Sequence, residues 1–159
     1  MNIIYLLLGS NIGNSEQQLL EAIQNITRQI GPVTRKSSLY STAAWGESNQ
    51  PDFLNQVIII ESEIAALPML EIILSIEKKM GRVRTTKNAP RIIDIDMLFF
   101  NNDIIETTNL SVPHPEIENR RFVLIPLNEL SPNLVHPASG LMMSSLLKNC
   151  TDKLDVKKI

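Results

Sequence analysis

Apolar residues follow two rhythms along the chain, and the rhythms divide it into elements. Asn2 to Gly9 and Leu54 to Glu63 carry near-continuous apolar runs bounded by turn residues, which predicts two buried strands. Between them, Leu19, Leu20, Ile23, Ile26 and Ile30 recur at helical spacing behind Asn14-Ser15, with Ser15 and Gln18 in capping-box register and Gly31-Pro32 as the stop. Val33 to Ser41 mixes β-branched, serine and tyrosine residues and reads as a more exposed strand, followed by a loop over Thr42 to Asp52. A second helix is expected to start with Pro68 at its first helical position, with Leu70, Ile73, Leu74 and Glu77 on one face and Gly81 ending it. After a polar loop at Thr85 to Ala89, a fourth strand starts at Pro90-Arg91 and runs to Phe100.

The remaining third is less regular. Asn101-Asn102-Asp103 predicts a turn into a short partner at Ile104-Ile105, and Val112-Pro113-His114-Pro115 is barred from helix by its prolines. Helices are expected over Arg120 to Leu130 and Leu141 to Asn149, with a last strand around Leu154 and Val156. The order strand, helix, strand, strand, helix, strand matches the ferredoxin-like β-α-β-β-α-β scheme. The expected fold class is therefore α+β: a mainly antiparallel sheet with helices packed on it, plus a C-terminal extension.

Composition narrows the picture only slightly. With 159 residues, 43% hydrophobic, the chain suits one domain with a substantial core. A net charge of −2 leaves no broad basic face for nucleic acid or an anionic membrane. Basic residues instead gather locally, at Lys78-Lys79-Met80-Gly81-Arg82-Val83-Arg84 and at Arg120-Arg121, a pattern suited to a small anionic ligand. One cysteine, Cys150, excludes an internal disulfide and fits a reducing compartment. The apolar start is too short to span a bilayer and lacks signal-peptide features, so the expected setting is the cytoplasm.

The fourth strand carries the chemistry. Asp94 and Asp96 interrupt an Ile- and Phe-rich run, and a carboxylate in such surroundings needs a cationic partner or becomes protonated. Residues i and i+2 of a strand point to one face roughly 6.6–6.8 Å apart, so the two acids can share one or two divalent ions. Metal pairs about 3.5–4 Å apart organise in-line phosphoryl displacement. The competing reading is a structural pair of aspartates salt-bridged to neighbours.

Lys87-Asn88-Ala89-Pro90-Arg91-Ile92-Ile93-Asp94-Ile95-Asp96-Met97-Leu98 resembles the signature of the 6-hydroxymethyl-7,8-dihydropterin pyrophosphokinases of folate biosynthesis. Leu8-Gly9-Ser10-Asn11, Gln50-Pro51-Asp52-Phe53-Leu54-Asn55, Ile76-Glu77 with Gly81-Arg82-Val83-Arg84, and Val112-Pro113-His114 with Asn119-Arg120-Arg121-Phe122 follow in that family's order. The resemblance covers about residues 2 to 136 and implies one pyrophosphokinase domain over residues 1–159. It also implies pyrophosphate transfer from ATP, as co-substrate, to the pterin hydroxymethyl group, releasing AMP, with two Mg²⁺ ions. Those small molecules are its expected partners, with no nucleic acid, no membrane and a monomeric chain.

By the same resemblance, Asp94 and Asp96 hold the metal ions and act in catalysis with Arg82 and Arg91. Glu77, Arg84, Met97, Leu110, Ser111, His114 and Arg120 fall at nucleotide positions. Thr42, Ala43, Trp45, Phe53, Asn55 and Phe122 fall at pterin positions, the two phenylalanines stacking on a flat heterocycle and Asn55 reading its edge. The chain departs from the family at Ala43, often Pro, and Ala89, often Gly; a tryptophan common before Pro-Arg is absent. His136 has no motif around it and reads as a structural histidine. Two alternatives remain: another metal-dependent nucleotidyl or phosphoryl transferase, and a small regulatory domain that binds a nucleotide or metabolite without turnover.

Overall fold

The computed structural model describes residues 1–43, 49–83 and 90–159. β1 (Asn2–Ser10) and β4 (Phe53–Ser62) pair antiparallel along their length, from Asn2 opposite Ser62 to Ser10 opposite Leu54. β5 (Asp94–Phe100) lies on the far side of β1, while β2 (Val33–Lys36) and β3 (Tyr40–Thr42) both pair with β4. β8 (Val156–Lys158) closes the sheet beyond β3, giving the order β5-β1-β4-β3-β8 with every pairing antiparallel. A separate ribbon joins β6 (Ile105–Glu106) to β7 (Ser111–Val112).

Helices cover both faces, which explains why the central runs do not alternate. Ile4, Leu6 and Leu8 of β1 pack with α1 (Ser15–Gln29) and α2 (Ala66–Lys79) through Leu19, Ile26, Met69 and Ile73. Tyr5 and Leu7 point the other way, into a second cluster with α3 (Arg121–Leu130) and α4 (Met143–Asn149) through Leu124, Leu127, Met143 and Leu146. A strand apolar on both sides is stable only between two such layers. The architecture is the ferredoxin-like arrangement expected, with the C-terminal third forming the second helical layer.

Element boundaries differ from the sequence expectation where side chains replace backbone pairing. Val33 to Ser41 is not one strand: Ser37 breaks it, donating its N–H to Val57 O at 2.8 Å while its Oγ accepts from Val57 N–H at 3.0 Å. The cap of α1 is Asn14, whose Oδ1 accepts from Gln17 N–H at 3.1 Å; Gln18 instead accepts from Ser10 Oγ at 2.7 Å. α2 begins at Ala66, so Pro68 is its third residue rather than its first, and the buried face runs through Ala66, Met69, Ile73, Ile76 and Glu77, with Leu70 half-buried against the core and Leu74 exposed. The fourth strand begins at Asp94, because the Arg91 backbone is bound to Asn11 instead of a neighbouring strand. His136 is structural as expected: its Nδ1 accepts from the Ala138 and Ser139 N–H groups, and Phe99 meets its ring edge-on.

The second layer is tied to the sheet edge by Glu129. Its carboxylate accepts hydrogen bonds from Tyr40 Oη at 2.5 Å and from Ser38 N–H and Oγ at 3.0–3.1 Å. Burial alone would raise the Glu129 carboxyl, but the Tyr40 and Ser38 donors outweigh it and hold it below its ordinary value of 4.5. Because the folded form is the more acidic, this contribution is complete above the unfolded value and is lost as pH falls through the folded one. Urea midpoints are therefore expected to show Glu129→Gln less stable than wild type at about pH 7, with the gap closing below about pH 4. A gap unchanged over that range would contradict the assignment.

Candidate active site

At one end of the face that carries α3 and α4, apolar packing gives way to a pocket. Antiparallel register builds its floor: Asp94 lies opposite Gly9, and Gly9 opposite Asn55, while Asp96 lies opposite Leu7. Residues directly opposite share a face, so both aspartates, Leu7, Gly9 and Asn55 look the same way. Phe53, Thr42 and Ala43 extend the floor, Arg91 comes from the segment before β5, and Arg120 and Phe122 arrive from the start of α3.

Gly9 is essential to this row. A Cβ there would stand 2.8 Å from Asn55 Oδ1, closer than real contacts allow. Asn55 in turn donates from Nδ2 to Thr42 Oγ1 at 2.8 Å in a buried setting, which fixes the amide. A glycine inside an apolar strand is the sequence sign of such a close approach. Neither Leu7 nor Gly9 was singled out as a site residue from the sequence, because the strand opposite each could not be read from it.

Behind the floor runs a chain of charges. Arg82 Nη1 donates to Glu77 Oε2 at 2.9 Å and to Asp94 Oδ1 at 2.5 Å, and Arg91 Nη1 donates to Asp94 Oδ2 at 2.9 Å. Glu77 also accepts from Ile95 N–H at 2.8 Å, tying the end of α2 to the start of β5. It is 2% exposed, so it is neither a solvated helix-end acid nor part of the pocket wall. Burial alone would lower the Arg82 guanidinium, but Asp94 and Glu77 overcome that and push it above its ordinary value.

The end of α2 delivers Arg82 to this place. Gly81 takes φ +98°, its N–H bonds Lys78 O at 3.1 Å, and the Arg82 N–H bonds Glu77 O at 3.0 Å. These two bonds form a Schellman closure, which turns the chain back so that Arg82 faces the acid five residues before it.

Asp96 sits differently. Burial, then the neighbouring Asp94 and Glu77, push its carboxyl up to about 7, with Arg120 and Arg82 acting in the opposite sense. A cation bound there would favour its charged form. Among the described residues no group of three or more His, Cys, Asp or Glu side chains could hold a metal by itself. A pair of carboxylates on one strand face nevertheless suits Mg²⁺, which keeps waters and takes its other oxygens from substrate phosphates.

Two arginines stand over two rings. Arg91 Cζ lies 5.7 Å from the Phe53 centroid and Arg120 Cζ 5.9 Å from that of Phe122, both within cation–π range. His114 donates its backbone N–H to Leu98 O at 3.0 Å, and its Nδ1 accepts from Glu116 N–H at 3.1 Å, which places the ring proton on Nε2. Burial, then Arg120, lower its imidazole, so the neutral form is favoured.

Other sequence candidates lie elsewhere. Met97 and Leu110 are buried in the core beneath α1 and α2, facing away from the pocket. Ser111 is on β7, its Oγ donating to Glu106 Oε2 at 3.0 Å. Trp45, Arg84 and the Thr85 to Ala89 loop fall outside the described residues, as does Ala89 of the signature.

Residues 5–132 match the 7,8-dihydro-6-hydroxymethylpterin-pyrophosphokinase family. The chain belongs to that family. It is 35% identical to the 2-amino-4-hydroxy-6-hydroxymethyldihydropteridine pyrophosphokinase of Haemophilus influenzae, over 96% of each chain. It is 37% identical to the Dictyostelium discoideum folic acid synthesis protein FOL1 over 93% of its own length. There it spans only 22% of the relative, so that protein is several times longer. Among solved structures, Plasmodium falciparum HPPK-DHPS with pteroate superposes with a TM-score of 0.75 at 19% identity, covering 92% of this chain and 42% of that one. At that identity the likeness establishes the fold.

Gly81 provides a direct test of how Arg82 is placed. Gly81→Ala puts an L side chain in left-handed backbone and brings its Cβ to 3.3 Å from Ile92 Cδ1. Stability measured by urea unfolding is expected to fall by about 1–2 kcal/mol, and by less in Gly81→Asn, since Asn tolerates that region. Equal loss in both would show that the backbone conformation is not what Gly81 provides.

Proposed function

We propose that this chain catalyses Mg²⁺-dependent transfer of pyrophosphate from ATP to the hydroxymethyl group of 6-hydroxymethyl-7,8-dihydropterin, giving AMP and the pterin diphosphate. The observation that carries the reading is the meeting, in one pocket, of two strand-borne carboxylates and two arginines with two phenylalanines and a buried asparagine. A polyanion and a flat heterocycle are the two ligands such walls recognise.

Asp94 and Asp96 would hold two Mg²⁺ ions, which when bound neutralise triphosphate charge. Arg82 and Arg91, paired with Asp94 here, would pass from that carboxylate to phosphate oxygens, where a guanidinium fork makes two parallel bonds. Arg120 and the Nε2–H of His114 would bind further nucleotide phosphate oxygens, and Arg84, by the family pattern, would assist. Glu77 acts behind them by orienting Arg82. Met97, Leu110 and Ser111 would contribute to the nucleotide side, Met97 and Leu110 through their backbones because both side chains are in the core.

On the other side, Phe53 and Phe122 would flank the pterin, with Thr42, Ala43 and Trp45 around its edge. Asn55, its Nδ2 committed to Thr42, keeps Oδ1 to accept from a ring N–H. The pterin hydroxyl oxygen would then bond to the β-phosphorus as the bond from that phosphorus to the α,β-bridging oxygen breaks. The bridging oxygen and its electron pair leave with AMP, and the hydroxyl proton is lost to solvent. Such a transfer needs alignment and charge stabilisation, which these residues supply, and no protein nucleophile. The same reading makes residues 1–159 one pyrophosphokinase domain, monomeric and cytoplasmic. No helix among the described residues is long and apolar enough to cross a membrane.

Incubation with ATP, Mg²⁺ and the reduced hydroxymethylpterin, followed by nucleotide chromatography, is expected to give AMP only when the pterin is present. Pyrophosphate release, or no AMP, would overturn the proposal. Asp94→Ala and Asp96→Ala are expected to keep a wild-type circular dichroism spectrum while AMP release falls about 100- to 1,000-fold, the effect of several kcal/mol of lost charge stabilisation. Wild-type turnover in either would remove the metal assignment. Gly9→Ala, by displacing Asn55 Oδ1, is expected to weaken pterin affinity about tenfold in calorimetry, the scale of one lost hydrogen bond at a charged or buried group, with ATP-analogue affinity unchanged.

A further inference from the structure

Asn11 lies just beyond β1 and is 2% exposed, yet it belongs neither to a helix cap nor to the pocket wall. All of its hydrogen-bonding groups but one carbonyl are directed at the two chain segments that lead into the site. Its backbone N–H donates to Arg91 O at 3.1 Å, and its side-chain Oδ1 accepts from Arg91 N–H at 2.9 Å. Both backbone polar groups of Arg91 are thus held by a single residue. The same side chain donates from Nδ2 to Gln50 Oε1 at 3.0 Å and to Pro51 O at 3.2 Å, two residues before Phe53.

The geometry points to Asn11 as a positioning residue: we propose that it sets the Arg91 guanidinium against Asp94 and keeps that arginine in register with the Phe53 side of the pocket. Arg91 needs such help because it precedes β5, so no strand pairing fixes its backbone. Its guanidinium must nevertheless meet Asp94 Oδ2 at 2.9 Å and stand 5.7 Å from the Phe53 ring. An asparagine amide accepts at Oδ1 while Nδ2 offers two hydrogens, whereas Ser has a single hydrogen to donate and an ionised Asp has none, so neither can replace all three side-chain bonds. Misplacement of a clamping group by about 1 Å can cost on the order of 100-fold in rate.

This role rests on the proposed pyrophosphoryl transfer, and the test separates the two. AMP release by the wild-type chain settles the activity first. A double-mutant cycle of Asn11→Ala and Arg91→Ala then reads kcat, KM for ATP, and the affinity of a non-hydrolysable ATP analogue with Mg²⁺. Asn11→Ala alone is expected to lower kcat about 10- to 100-fold, with a smaller change in KM. In the Arg91→Ala background it is expected to lower kcat less than threefold, because a residue that acts through Arg91 has nothing left to position. Asn11→Asp, which can still accept from Arg91 N–H but cannot donate to Gln50 and Pro51, is expected to fall between wild type and Asn11→Ala. Equal losses in both backgrounds, or loss of melting temperature without loss of kcat per folded molecule, would overturn the positioning role. Should the wild type release no AMP, the activity reading fails. The cycle read in analogue affinity then decides the positioning role alone, non-additivity supporting it and additivity overturning it.

Discussion

Asp94 is held between two guanidinium groups, Arg82 on one oxygen and Arg91 on the other, and the site is arranged around that contact. A carboxylate at the start of an otherwise apolar strand is costly without compensation, and one cation would satisfy only half of it. Each arginine has its own support. Arg82 is turned into place by the Gly81 closure and braced by Glu77, while Arg91 is held by the two backbone bonds to Asn11. Helix α2, the strand lead-in and the turn after β1 thereby converge on one side chain. Asp96, two residues on, has no such clamp among the described residues, and burial, then Asp94 and Glu77, raise its carboxyl.

The sheet register does for the rest of the pocket what the arginines do for Asp94. Because β1 lies between β5 and β4, any ligand touching both the acids and Asn55 must cross β1, and the crossing point is Gly9. The absence of a side chain there keeps Asn55 and Asp94 in one continuous surface. The walls come from the other helical layer: Arg120 and Phe122 are at the beginning of α3, whose later turns pack Leu124 and Leu127 on the sheet. Core packing of α3 thus positions the wall of the pocket, and Glu129 at its far end fastens the same helix to β3 through Tyr40 and to the segment before β3 through Ser38.

Much of the fold was legible in the sequence because its signals are local. Continuous apolar runs at β1 and β4, the helical spacing of Leu19 and Ile26, and the Asp94–Asp96 alternation each depend on residues within one or two turns of chain. For the site, the acids, Phe53, Asn55, Arg91, Arg120 and Phe122 were recognisable through ordered motifs, and the structure brings all of them to one pocket.

What the sequence determined by itself, then, was the succession of the main elements, the burial of β1 and β4, and the chemical kinds of group the chain carries. Tertiary structure alone decided which groups meet. Ser37 interrupts an apparently single strand because Val57, twenty residues away, offers its backbone to that hydroxyl. Asn14 rather than Ser15 caps α1, Gln18 being bound to Ser10. β5 starts late because Asn11, eighty residues earlier, binds Arg91. Glu77 is a buried brace rather than a solvated acid because Arg82 and the Ile95 N–H reach it together. Each of these is a hydrogen bond between segments far apart in the chain, and no local pattern of residue types encodes a distant partner.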